Sequence, residues 1–231
     1  MPESTLSERL HVVRDGIADA AADAGRDLAD IALVVVTKFH PVSLLLELHG
    51  LGVHDFGESR HQEAQVKSVE LADLGATWHF VGQLQSKKAA QVAGYSHVIH
   101  SIDRDSVVDA LGRVDREAAD IRSTDVFVQL NLTDDPARGG VADGDVERVV
   151  ERVLGTAGLR LLGVMAVAPV GVEPRAAFAG VRAASERVRA LHPPAAFIST
   201  GMSGDYREAI LEGATHLRIG SAITGNRPTA G

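Results

Sequence analysis

The sequence predicts one closed (β/α)8 barrel, a TIM-like α/β fold preceded by an extra N-terminal helix. Short apolar segments alternate with helix-period segments along nearly the whole chain, and eight of the former read as strands. Several strands are unbroken apolar runs, the pattern of a parallel sheet buried on both faces. The 231 residues contain no Pro/Gly/Ser-rich linker, so residues 1–231 are taken as one domain with the barrel proper at about 31–227. A doubly wound open sheet is the alternative for the same alternation.

Each element has its own signal. Residues 4–23 place Leu6, Leu10, Val13 and Ile17 at helical spacing. The β-branched run 32–37 is strand one, and Pro41 opens a helix to about His49. Strand 53–57 precedes a helix over 58–75 that stops at Gly75. Strand 77–82 leads to helix 84–93, and strand 97–102 to helix 104–119. Strand 125–132 is followed by the longest loop, 133–145, which this topology puts at the barrel's C-terminal mouth, and then by a helix to Gly155. Strand 159–168 precedes a helix at about 174–191. Strand 195–200 precedes helix 203–213, and 215–220 is the last strand.

Composition narrows the function. The net charge of −8 argues against a nucleic-acid partner, and the single RGG at Arg138-Gly139-Gly140 is no binding tract. No apolar run approaches the roughly 20 residues of a membrane span, and no signal-peptide core is visible, so a cytoplasmic protein is expected. Without cysteine there is neither disulfide nor thiolate chemistry.

Of 23 basic residues only Lys38, Lys67, Lys87 and Lys88 are lysines. Lys38 alone ends a strand, at the barrel end where active sites lie. It is either a lysine snorkelling to solvent or a Schiff-base amine whose apolar surroundings lower its pKa. The other three lie in polar, helix-like stretches and are expected to be solvated. In "STGMSGDYREAILEG" (199–213), Ser203 reads as an N-cap, Asp205 as a first-turn acid and Gly213 as the residue after the helix. A second glycine turn, "RIGSAITGNR" (218–227), follows strand eight. Two such turns after strands seven and eight suit a phosphate, although capped helices alone would explain them.

Other patterns carry less. Gly201-Met202-Ser203-Gly204 lacks the glycine of a nucleophile elbow, since Asp205 stands there. His97 and His100 fall on opposite strand faces and cannot share a metal. His79 reads as a satisfied core or rim histidine, and "FGESRHQE" lacks metalloprotease spacing. No metal site is expected.

The stretches "VVTKFHP", "HDFGESRHQEAQVK", "WHFVGQLQSKKA", "VIHSID", "LLGVMAVAP" and "STGMSGDYREAILEGATHLRIGSAITGNR" closely resemble the pyridoxal phosphate homeostasis proteins, from about residue 31 to 227. The resemblance implies a barrel of the alanine-racemase N-terminal-domain type carrying pyridoxal 5′-phosphate (PLP) on Lys38 as a Schiff base. It further implies that Arg218 faces the pyridine nitrogen. Met202, Ser203, Gly220 and Ser221 would hold the phosphate through hydroxyls and backbone N–H groups, with Asn131 a wall of the site. Three positions depart from the family pattern: His40 replaces a frequent second lysine, Ser59 replaces the asparagine of "FGEN", and Ser221 replaces a threonine.

Two functions of different class fit this resemblance. A carrier would hold, buffer and deliver PLP, meeting apo forms of PLP-dependent enzymes or vitamin B6 enzymes only transiently, as a monomer. An amino-acid racemase would use PLP as an electron sink. Racemases of this barrel type add a second domain and a tyrosine base from across a dimer. Here the chain ends soon after strand eight, and its two tyrosines, Tyr95 and Tyr206, are not obvious bases. The carrier is therefore preferred. A PLP-free barrel with another phosphate ligand is the third reading.

Overall fold

A computed structural model describes residues 4–117, 123–133 and 135–226. Eight strands close into a barrel: β1 (Ala32–Val36), β2 (Asp55–Glu58), β3 (Thr77–Phe80), β4 (Val98–Ile102), β5 (Thr124–Gln129), β6 (Leu159–Met165), β7 (Phe197–Ser199) and β8 (His216–Ile219). Each pairs in parallel with the next, and β8 returns to β1 through Val34↔Arg218 and Val35↔Ile219. Closure excludes the open sheet. Around it lie α1 (Leu6–Asp23), α2 (Val42–Gly50), α3 (His61–Glu70), α4 (Ala89–Ala93), α5 (Asp105–Gly112), α6 (Val146–Leu154), α7 (Pro174–Leu191), α8 (Tyr206–Leu211) and α9 (Ser221–Thr224).

Local chemistry sets the ends of these elements. Thr5 and Glu8 form a reciprocal capping box that starts α1. Glu173 caps α7, whose first residue is Pro174, where the missing N–H costs nothing. α1 then lies against α8 and α9, with Arg9 Nε donating to the Ile223 carbonyl at 2.7 Å.

The register sorts side chains into two layers. Val34 pairs with Arg218, Gly57 with His79, and Ser199 with His216, and this parity faces the barrel interior. The opposite parity, with Val35, Phe56, Trp78 and Ile219, packs in the main hydrophobic core under the helices. The interior therefore holds a small apolar cluster of Val98, Phe127 and Met165 beside polar residues.

The sequence boundaries needed adjustment. The helix expected over 104–119 ends at Gly112, and residues 118–119 lie outside those described, as does Arg227. The helix expected from Ser203 starts at Tyr206 with Asp205 as its N-cap. The cause is a local turn: the Asp205 carboxylate accepts the Met202 N–H at 2.6 Å, which competes with helix at 203–204. α9 was not anticipated. The 133–145 loop folds back on its strand, with Asn131 N–H donating to the Val141 carbonyl at 2.9 Å and Val141 N–H to Gln129 at 2.7 Å.

Candidate functional site

β1 and β8 are neighbours, and their C-terminal ends bring the sequence-singled residues together. Lys38 lies two residues beyond β1, in the turn that the His40 N–H closes on the Thr37 carbonyl, and is exposed at the mouth. The next residue, Phe39, has φ +70, a left-handed conformation that a residue with a Cβ adopts only when its surroundings hold it there.

Arg218 sits inside the barrel on β8, 5% exposed. One terminal nitrogen donates to Ser199 Oγ at 2.6 Å and the other to the Ala166 carbonyl at 2.9 Å. Among the described residues no carboxylate forms an ion pair with it, and burial lowers its pKa to about 10. Behind it runs a chain of hydrogen bonds. Ser199 Oγ meets His100 Nδ1 at 2.8 Å, His100 Nε2 meets His79 Nδ1 at 2.9 Å, and His79 Nε2 meets Asp55 at 2.9 Å. Burial holds His100 well below the usual histidine range, and neighbouring His79 and Arg218 add to the effect. Because the guanidinium can only donate and His100 is neutral, the hydrogen bonds order in one direction: Arg218 to Ser199, Ser199 to His100, His100 to His79, His79 to Asp55. His100 also stacks on Phe127 at 4.7 Å between ring centroids. His79 is thus satisfied, as its sequence position suggested, but as part of a pair.

After β7 and β8, two turns meet. Ser203 Oγ accepts the Ala222 N–H at 3.2 Å and lies 3.4 Å from the Ser221 hydroxyl. Gly201, at φ +91, lets the first turn pass against α8, since a Cβ there would lie 2.7 Å from that of Ala209. Gly220 leads directly into α9, whose Ile223 and Thr224 N–H groups both donate to its carbonyl. Met202 is exposed, and its N–H is already spent on Asp205. Asn131 follows β5, across the barrel. Its side-chain oxygen accepts from Thr133 and its amide donates to the Asp135 carbonyl, so it shapes its own loop and is not gathered with the other residues.

Lys67 is the residue the sequence reading misplaced. Far from solvated, it is 4% exposed, and its ammonium spends all three donors: on the Thr37 carbonyl at 2.9 Å and on Glu58 and Glu63 at 2.7 Å each. The signal was the i,i+4 pair Glu63–Lys67 together with an inner face of α3 that carries His61, Ala64, Lys67 and Ser68 and no large hydrophobe. Neither tyrosine reaches the mouth. Tyr95 is half-buried and stacks on His61, and burial pushes its hydroxyl pKa far up. The Tyr206 hydroxyl lies against Gly16 of α1, where it leaves no room for a Cβ. His97 accepts the Trp78 N–H on Nδ1 at 3.0 Å, while His100 bonds His79 and Ser199.

A family model described as alanine racemase, N-terminal domain, matches residues 19–228. A pyridoxal phosphate homeostasis protein of Mycobacterium tuberculosis is 38% identical over 97% of this chain and 94% of its own length. One from Pseudomonas aeruginosa is 38% identical over 97% of this chain and 96% of its own. The solved structure of PipY from Synechococcus elongatus with PLP bound has a TM-score of 0.83 at 30% identity, covering 96% of this chain and 100% of that one. No helix among the described residues is long and apolar enough to cross a membrane.

Proposed function

The chain belongs to the pyridoxal phosphate homeostasis proteins, built on the alanine racemase N-terminal fold, and from that premise we propose that it binds PLP at the barrel mouth, holds it on Lys38 as a Schiff base, and buffers or delivers it in the cytoplasm as a monomer. One observation carries this reading: the C-terminal ends of neighbouring strands β1 and β8 bring a primary amine near a buried guanidinium that, among the described residues, forms no ion pair, with a hydroxyl-lined turn beside them.

The residues present suit the cofactor. PLP supplies an aldehyde that condenses with a primary amine, releasing water, and a ring that withdraws electrons. Lys38 provides the amine. Arg218, a buried cation with no ion pair among the described residues, would donate to the ring nitrogen and oppose its protonation, because two positive charges would then adjoin. Ser203, Ser221 and the turn at Gly220 line a cup for the phosphate, while Met202 shapes that cup through its bond to Asp205. The exposure of Lys38 favours a carrier, since a reactive amine open to solvent can give up its load to an incoming amine. Powerful chemistry at an amino-acid α-carbon also needs a base on the second face, and the placement of Tyr95 and Tyr206 supports no such role for them.

The decisive experiment is Lys38→Ala. It should abolish both the yellow colour of PLP-loaded protein and the borohydride-fixed adduct. A stoichiometric adduct retained at another lysine would sink the assignment. Holo-protein incubated with L- and D-alanine in heavy water should show no α-deuterium at an enzyme-like rate, on the order of 1 s⁻¹, and should pass PLP to an added apo-enzyme.

A further inference from the structure

The buried cluster Glu58–Lys67–Glu63 lies outside the barrel wall, under α3, yet it touches the chain on both sides of Lys38. Thr37 is fully buried and held three ways: its hydroxyl donates to Glu58 Oε1 at 2.7 Å, its carbonyl accepts from Lys67 at 2.9 Å, and its N–H donates to the Gly57 carbonyl at 3.0 Å. On the other side the N–H of Phe39 donates to Glu63 Oε1 at 2.6 Å. That single oxygen also takes the Lys67 ammonium, so one side chain ties α3 to the residue in left-handed backbone. Beyond β1 the chain turns: Lys38 and Phe39 are its central residues, and the His40 N–H closes it on the Thr37 carbonyl at 3.1 Å. Gripping Thr37 and Phe39 fixes the backbone from which the Lys38 side chain leaves at the mouth. A left-handed Phe39 costs on the order of 1–3 kcal/mol unless its surroundings over-determine it, and the short bond to Glu63 is such a constraint.

We propose that Glu58, Glu63 and Lys67 are positioning residues for Lys38: they fix the backbone on both flanks so that its amine meets the ligand at one distance and angle, while touching no ligand themselves. The proposal rests on the assignment of Lys38 as the cofactor-bearing lysine. It accounts for a charged triad at a place where an apolar contact would pack α3 at least as well. The triad's value lies in directional bonds to backbone groups, which apolar side chains cannot make.

Glu63 is the variant of choice, since its side chain is 22% exposed and its loss strands less buried charge than loss of Lys67. Glu63→Leu removes the acceptor for Phe39, whereas Glu63→Gln retains an oxygen that can take the same bond. In the full-length chain without cofactor, amide hydrogen exchange at Phe39 should speed up about tenfold or more in Glu63→Leu, the equivalent of one lost hydrogen bond, and much less in Glu63→Gln. With PLP added, Schiff-base formation, followed by the rise of colour, should slow about tenfold in Glu63→Leu and recover in Glu63→Gln. Pyridoxine 5′-phosphate, which has no aldehyde, should bind both variants as it binds the parent. Equal losses for PLP and pyridoxine 5′-phosphate would mark general damage and overturn the proposal. So would unchanged exchange at Phe39, or an unchanged rate of colour formation. The exchange arm needs no cofactor, so a parent chain that failed to take up PLP on Lys38 would overturn the underlying assignment while the clamp on Phe39 was still decided by its own data.

Discussion

Two buried polar clusters brace the two sides of the mouth, and they are built on opposite principles. Under Lys38, between sheet and helix, the clamp is ionic: one ammonium shared by two carboxylates, all within 2.7–2.9 Å. Under Arg218, inside the barrel, the relay is neutral: serine and two histidines separate the guanidinium from the nearest carboxylate in the chain of bonds, Asp55. The difference follows from what each cation is left to do. Lys67 has no donor to spare, so it can only hold the backbone. Arg218 forms no ion pair among the described residues, so its donors are left to neutral groups and its charge is not cancelled by contact with a carboxylate. A carboxylate placed beside Arg218 would neutralise the charge that the ring nitrogen is to meet, and removing one from Lys67 would free a charge with nothing to bind.

Lys67→Met should expose the ionic cluster most severely. It leaves Glu58, 1% exposed, without its cation, and its Oε2 already has no partner among the described residues. Breaking a buried pair in this way costs about 3–5 kcal/mol, read from urea unfolding at neutral pH. Adding Glu58→Leu should recover more than half of the loss. A double variant as unstable as the single one would mean that packing, not charge, sets the cost.

The neutral relay should break more gently. His100→Leu removes the partner of both Ser199 and His79 and is expected to cost about 2–3 kcal/mol in the same assay. His100→Gln, which can still donate and accept, should cost less. Equal losses would show that ring packing on Phe127, rather than the hydrogen bonds, is what the site requires.

Acid separates the clusters by sign. His216, beside Phe127 and His100, is pushed down to about 4 by burial. Below its ordinary value near 6.5 the unfolded chain takes the proton first, so stability falls with falling pH until about 4 and no further. Each unit in that window costs about 1.4 kcal/mol, or about 2 kcal/mol between pH 6.5 and 5. His100 acts in the same direction. Glu58 acts the other way: burial raises its pKa against the pull of Lys67, so the folded chain takes that proton first and gains stability as pH falls towards the ordinary carboxylate value. Unfolding of His216→Phe at pH 7 and 5 should lack the histidine share of the loss. A parent chain equally stable at both values would mean that the interior histidines do not resist protonation.

How far the sequence revealed these clusters follows from what each depends on. The barrel was legible because strand and helix periods are local, and Lys38 because it interrupts an apolar run. Arg218 and the glycine turns came with the resemblance and with a motif concentrated in one stretch. The relay was not legible, since from Arg218 to Asp55 it joins residues of five strands, and His79 and His100 become partners only when β3 and β4 align. Lys67 was lost for the opposite reason. Its local context is polar, and only the approach of Glu58 from β2 makes its burial tolerable. Ser203 as an N-cap failed on a competition between two local hydrogen bonds that spacing cannot rank.

The smallest effect should fall on the phosphate cup, which neither cluster supports. Ser203 is part-exposed, and its hydroxyl joins the two turns through Ala222 and Ser221. Ser203→Ala should therefore shift the urea midpoint little, within the roughly 0.5 kcal/mol usual for surface changes. Toward the ligand it removes one charge-assisted donor, worth roughly 1.5–3 kcal/mol when fully made and less where water can replace it. PLP should bind about tenfold more weakly, while pyridoxal, which lacks the phosphate, should lose nothing. In the parent chain pyridoxal should already bind about a hundredfold more weakly than PLP, since two such bonds exceed about 2.7 kcal/mol. Titration of both ligands against both proteins checks all four values. Equal losses for the two ligands would place Ser203 outside the phosphate cup. A loss for PLP alone, with the pH dependence of colour unchanged, would separate affinity, set at the turns after β7 and β8, from amine geometry, set by the clamp beneath β1.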